Sequence, residues 1–316
     1  MKSLIFFTSL GVMFGLYAVF NHQHIGNDVS LKTKSEQQVS TTEPVINSQE
    51  KIDNFPIVTL PTPPFKQDAP INIQSQASID LELISSSANN ITDTELWFAE
   101  NQLSLPTYEV ANPFQQEFGN VPEVIPTKYK NNILIKAIRS ERTNLVFLIY
   151  DMNFNDGRYL FAFNTKTNKI EYGYDFSNYL EAPEYERADR EFIAQNIIWV
   201  RQIGEILYIS HSHSTYAKSS LGMNAYITAI DTKTDRILWR SQPLVANSNN
   251  FVIRDNVIIS GYGFTAEPDY IYLLSIDTGE VLQQIPVKSA PQYLILENNK
   301  LYVRTYNTDY IYQIDN

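Results

Sequence analysis

The chain has 316 residues, 43% of them hydrophobic and 13% aromatic, which is enough apolar side chain to bury a core. Its formal net charge is −11, from 24 Lys and Arg against 35 Asp and Glu; no basic cluster reverses the balance, which excludes a basic face for nucleic acid or an anionic membrane surface. There is no cysteine, which excludes disulfides, thiolate metal sites, cysteine nucleophiles and a lipid-modified N-terminal cysteine.

Lys2 precedes an uncharged apolar run, Leu4–Phe20, "LIFFTSLGVMFGLYAVF". It is at the short end for a membrane-spanning helix and longer than most signal-peptide cores. The sequence "YAVFNHQ" puts Phe20 where cleavage needs a small residue. Residues 1–22 are therefore expected to be an uncleaved transmembrane anchor. Lys2 on the cytoplasmic side makes this a single-pass inner-membrane protein with its C-terminal domain in the periplasm. The alternative is a signal peptide whose cleavage releases the chain to the periplasm. His22 and His24 read as solvated juxtamembrane residues.

Residues 23–90 are rich in Ser, Thr, Gln, Asn and Pro, and include the polyproline-like "LPTPPF" at Leu60–Phe65. They read as a disordered tether. "SIDLELI", Ser78–Ile84, alternates briefly and is a stray strand candidate.

From residue 91 to 316 the pattern is strands throughout. "NNILIKAI", "TNLVFLIYDM" and "RYLFAFNTKTNKIEYGYDF" give four strands, and the same order returns from "NIIWVRQI" and again from "NFVIRDN". A partial fourth copy runs from "PQYLILEN" to the end. "FNTKTNKIEY" and "IDTKTDRILW" align without a gap, and "IDTGEVLQ" aligns if its turn is two residues shorter. Asn164, Asp231 and Asp277 are then the forward-bonding residues of three Asx turns. Asn168, Asp235 and Gly279 fall where the turn requires a positive φ, and are the types that adopt it most cheaply. Tyr172 and Trp239 follow as aromatics that wedge between sheets, with Gln283 in the third copy. "TDTELW", ending at Trp97, matches "TDRILW", so Glu95–Glu100 is expected to complete the last unit and tie the domain's ends together.

The stretch Tyr226–Trp239, with its copies Leu160–Tyr172 and Ile271–Gln283, resembles the PQQ-like (quinoprotein alcohol-dehydrogenase-like) β-propeller repeat. That resemblance implies an all-β fold: a small β-propeller of about four four-stranded blades, preceded by the N-terminal transmembrane helix and disordered linker. The family includes quinoprotein dehydrogenases that bind PQQ and calcium, and non-enzymatic propellers, among them an outer-membrane-assembly lipoprotein. The chain departs from both, with about four blades where about eight are usual and without a vicinal cysteine pair or a lipidated cysteine. Either strands hide between Asn101 and Lys130, or the ring is small, or a partner closes the arc.

His211 and His213 in "YISHSHST" stand at strand spacing on one face and are candidate zinc or copper ligands; a third ligand at diagnostic spacing is missing. The acidic insertion Asn178–Phe192 offers Glu181, Glu184, Arg187 and Arg190 as a partner-binding loop. "GYGFTAEPDY", Gly261–Tyr270, reads as an aromatic loop lining one face or as a strand end. There is no phosphate loop, G-x-S-x-G or H-E-x-x-H. The expectation is a membrane-tethered, non-catalytic protein-interaction or scaffold module of the bacterial envelope, with no cofactor, no nucleic acid and an envelope protein as partner. The alternatives are a quinone- or metal-dependent periplasmic enzyme with its site on the propeller axis, and a small-molecule sensor.

Overall fold

The computed structural model describes residues 48–63, 73, 77–154, 156–181, 188–215, 220–265 and 267–315. The anchor expected at 1–22 lies outside them; among the described residues no helix is long and apolar enough to cross a membrane.

The elements in chain order are α1 (Ser48–Asp53), β1 (Val58–Thr59), β2 (Asp80–Ala88), a 3-10 turn (Ile91–Asp93), α2 (Thr94–Glu100), β3 (Thr107–Tyr108) and β4 (Lys128–Tyr129). Then come β5 (Asn132–Arg139), β6 (Leu145–Asp151), β7 (Tyr159–Asn164), β8 (Lys169–Asp175), α3 (Arg190–Ile193), β9 (Asn196–Ile203), β10 (Ile206–Ser212), β11 (Tyr226–Asp231) and β12 (Arg236–Arg240). The last seven strands are β13 (Val252–Arg254), β14 (Val257–Tyr262), β15 (Tyr270–Ser275), β16 (Val281–Pro286), β17 (Pro291–Glu297), β18 (Lys300–Thr305) and β19 (Thr308–Asp315).

They form four sheets built on antiparallel up-and-down strands: β5–β8, widened to seven strands by β1, parallel to β8, and by β3 and β4; β9–β12; β13–β16; and β17–β19 with β2. These are propeller-like blades, packed face to face in chain order. Alternation along each second strand decides which neighbour a residue meets. In β14, Ile258 joins the core shared by blades one to three, whereas Val257 and Ile259 join the core shared with blade four.

The aromatics between blades do what their turns require. Tyr172 pairs with Ala162, Trp239 with Ala229 and Gln283 with Leu273, each beside a bulge, so the three positions are structurally equivalent. Trp239 of blade two covers Gly279 of blade three so closely that a Cβ there would lie 2.4 Å from the indole. Tyr174 of blade one donates its hydroxyl to Asp235 of blade two at 2.8 Å. In blades two and three the positive-φ residue of the turn is thus where the preceding blade docks. Blade four takes its outer strand from the N-terminal side of the chain and so has no turn between third and fourth strands, which removes the target an aromatic at Gln283 would meet.

All three turns have the expected positive φ, at Asn168 (54°), Asp235 (57°) and Gly279 (73°). Asn164 accepts the amides of Lys166 and Thr167 at 3.0 and 3.2 Å, and Asp231 accepts the Lys233 amide at 2.9 Å. The third turn corrects the alignment. The amides of Thr165, Thr232 and Ile276 make the same bond, to Asn144, Glu205 and Asn256. Ser275, not Asp277, therefore starts the third turn; its hydroxyl accepts the Thr278 amide at 3.3 Å, and all three turns have one length. The serine hid the match because Asp277 two residues later imitates the motif.

The closing strand is β2, which pairs with β19 along its length, and Glu95–Glu100 belongs instead to helix α2. Trp97 is buried, but from a helix on the outer face of blade four. The match to "TDRILW" fails at Glu95, which replaces β-branched Ile237 with a strong helix former. The domain accordingly begins before residue 91: α1 and β1 also pack on blade one, with Ile52 0% and Leu60 1% exposed, inside the span read as linker.

The region between Asn101 and Lys130 holds β3 and β4, both paired to the inner edge of β5. The outward faces of the first and last blades are each covered by non-repeat chain. Ile52, Val121, Val124 and Ile125 cover blade one, and Trp97 and Leu103 cover blade four. Arg304, 1% exposed, clamps that closure, bonding Asp309 at 2.9 Å, the Thr94 hydroxyl at 3.2 Å and the Asn90 carbonyl at 2.6 Å, with its guanidinium 5.6 Å from the Trp97 ring.

Candidate functional site

Three features stand apart from the repeat. The first is the loop at 109–120. Its ends are pinched together: the Asn120 amide bonds the Glu109 carbonyl at 2.8 Å, and a Cβ at Gly119 would lie 2.3 Å from the Ala111 nitrogen. Inside it, Asn112 accepts the amides of Phe114 and Gln115 at 3.0 and 3.3 Å, and Gln116 adopts a φ of 57°. This compact, self-bonded loop holds Phe118 91% and Phe114 66% exposed. Phe114 meets Phe154 edge-on at 6.3 Å, and Met152 of the same blade-one loop is 66% exposed. That second loop is braced by buried Asp151, which receives Arg158 in a bidentate pair at 2.6 and 2.7 Å. The pair holds the Arg158 guanidinium above its ordinary pKa.

The second feature is a cavity of about 380 Å3 on the axis, to which β5, β9, β13 and β17 or their ends all contribute, together with residues 102–106. Arg139 and Arg201 line it, stacked on Tyr108 and Trp199 at 5.3 and 5.5 Å. Arg201 pairs with Glu141 at 2.9 Å.

The third is the histidine pair. His211 is fully buried in blade two, its Nδ1 against Gln195 at 2.8 Å and its Nε2 against the Thr228 hydroxyl at 2.9 Å. It stacks on Tyr226, which Arg240 covers from 4.2 Å. Burial first, then the Arg240 charge, pulls its pKa to about 3. His213 lies beyond β10, with its Nε2 buried and without a hydrogen-bond partner, and burial pulls its pKa to about 4. Among the described residues no group of three or more metal-ligating side chains forms. His211 is thus a core histidine with both ring nitrogens engaged, and His213 is its buried neighbour.

The acidic insertion is divided. Tyr179 and Leu180 are buried, Tyr179 bonding the Thr228 hydroxyl at 2.8 Å, while Glu181 is half-buried. Glu184 and Arg187 lie outside the described residues, and Arg190 starts α3. In "GYGFTAEPDY", Tyr262 is the buried last residue of β14 and Phe264 packs on the core, the strand-end reading. The 109–120 loop and the arginines carried no repeat signal; only the run "NPFQQEFGN" hinted at an exposed aromatic turn.

No protein-family model matches the chain. No curated protein matches it either. Among solved structures it is similar to the computationally designed Ika4 protein, with 12% identity over 54% of this chain and 86% of that one and a TM-score of 0.35. It is similar to Saccharomyces cerevisiae Sqt1, with 13% identity over 55% of this chain and 42% of that one and a TM-score of 0.38. BamB from Moraxella catarrhalis matches with 11% identity over 58% of this chain and 70% of that one and a TM-score of 0.29.

Proposed function

We propose that the chain is a non-catalytic protein-interaction or scaffold module of PQQ-like propeller type, held to the bacterial inner membrane by residues 1–22 with the domain on the periplasmic side. One observation carries the reading. Two braced loops hold Phe114, Phe118 and Met152 out in solvent, where apolar groups have no folding role. Aromatic and Met side chains of this kind are enriched at the centres of protein interfaces. The domain supplies a rigid base, and attachment to the membrane through the polar residues 23–47 raises the effective concentration of partners in the envelope.

In-cell crosslinking followed by purification and mass spectrometry tests this reading, comparing the parent chain with a Phe114→Ser, Phe118→Ser double variant. A reproducible envelope protein recovered with the parent and lost with the variant supports it. Equal recovery with both, or no partner with either, refutes it. Because the chain lacks cysteine, one engineered cysteine on the domain reports topology. The proposal requires labelling by a membrane-impermeant maleimide in cells whose outer membrane is opened.

A further inference from the structure

The axial cavity, at about 380 Å3, is within the size range of small-molecule sites. In a chain of net charge −11, two of its lining groups are guanidiniums from neighbouring blades, Arg139 and Arg201. Each lies against an aromatic ring, Tyr108 at 5.3 Å and Trp199 at 5.5 Å. Stacking of this kind orients the guanidinium before any ligand arrives.

Arg201 is the informative one. Its side chain is 13% exposed, yet its one ion-pair partner, Glu141, is 60% exposed. Burial pulls its pKa below the ordinary value against the opposing pull of Glu141. Only its Nη2 has a polar partner among the described residues. Nε and Nη1 keep their donors on opposite flanks of the guanidinium, each able to give a single hydrogen bond to an anionic oxygen. Asn250 is held in place by its pair of bonds with the Leu294 backbone, at 2.5 and 3.0 Å.

The rest of the lining mixes Leu105, Ile253 and Leu296 with the polar Gln102, Ser104 and Asn250, and two exposed carboxylates, Glu141 and Glu297, complete it. Two cations with two anions favour a ligand that carries both charges over a polyanion or a bare inorganic ion. We propose that this cavity binds a small zwitterion of amino-acid to dipeptide size. Its carboxylate sits on Arg201 and Arg139 and its ammonium group faces Glu141 and Glu297. This site is separate from the Phe114–Phe118 surface and does not depend on the partner reading.

Calorimetric titration of the full-length protein in detergent tests it, with L-leucine and L-leucyl-L-leucine as probes. N-acetyl-L-leucine keeps the carboxylate alone, and L-leucinamide keeps the ammonium alone. Saturable binding of either zwitterion is expected, weaker binding of the acetylated probe, and none of the amide. Arg201→Gln should weaken the zwitterion roughly thirtyfold or more. Arg139→Gln, at an exposed residue that folding tolerates, should weaken it as well. Failure of both zwitterions to bind at millimolar concentration overturns the proposal, as does amide binding equal to that of leucine. Unchanged binding in Arg139→Gln overturns it even if Arg201→Gln fails to fold.

Discussion

Gly279 shows how one residue serves two blades. Its φ of 73° suits glycine, and the Trp239 indole occupies the space a side chain would need. Gly279→Ala is therefore expected to lower stability by about 1–3 kcal/mol from backbone strain, with the indole clash adding to it. Urea denaturation measures the loss, and Asn168→Gly, where only the turn strain is relieved, should cost little or stabilise. The histidines set a pH dependence whose sign is fixed by burial. His211 and His213 have folded pKa values of about 3 and about 4, below their ordinary 6.5, so the native state holds them neutral. The unfolded chain binds protons first as pH falls. Their stabilisation is complete above about 6.5 and is lost between there and about 4 to 3, at up to about 1.4 kcal/mol per pH unit for each group titrating. Urea midpoints at pH 7 and pH 5 should fall more steeply for the parent than for His211→Gln. At this scale the turn residues were legible, because φ limits residue choice. Asp277 was misplaced because a serine did the aspartate's work at Ser275. Arg304 was invisible, since its partners Asn90 and Thr94 stand more than two hundred positions away in the chain.

Among the elements, β2 and α2 exchange the roles the sequence suggested. The alternation that buries Ile79 and Leu81 lasts too few residues to separate a strand from a tether. Only pairing with β19 settles it, and that is a long-range fact. Two truncations follow from it. A chain starting at residue 46 keeps β2 and the blade-one cover and should fold cooperatively. A chain starting at 91 leaves β19 with an open edge and should be insoluble or lack a cooperative melt by circular dichroism. Arg304→Met tests the clamp across the same closure. Burial holds Asp309 above the ordinary carboxylate range even with Asn89 and Arg304 beside it, so the intact pair adds little net stability. Removing the arginine alone leaves the partly buried Asp309 carboxylate without its counter-charge and should cost up to about 3 kcal/mol by denaturant titration. Adding Asp309→Asn should recover part of that loss.

The described domain is four repeated blades bounded by chain that does not repeat. The repeat was readable because each blade restates one pattern of strands and turns. The cover was not, because residues 48–57 and 94–125 have only the shape of the blades' end faces to satisfy, and that shape exists only after folding. Both proposed surfaces involve this cover: the exposed loop at 109–120, and residues 102–106 at the axial cavity. A photo-crosslinking residue placed at Phe118 in cells, with one at Leu238 as a control on an exposed blade edge, tests the central claim most directly. The account predicts one dominant protein product from position 118, absent from 238 and lost when Phe114→Ser is added. No product at 118, or the same products from both positions, would contradict it.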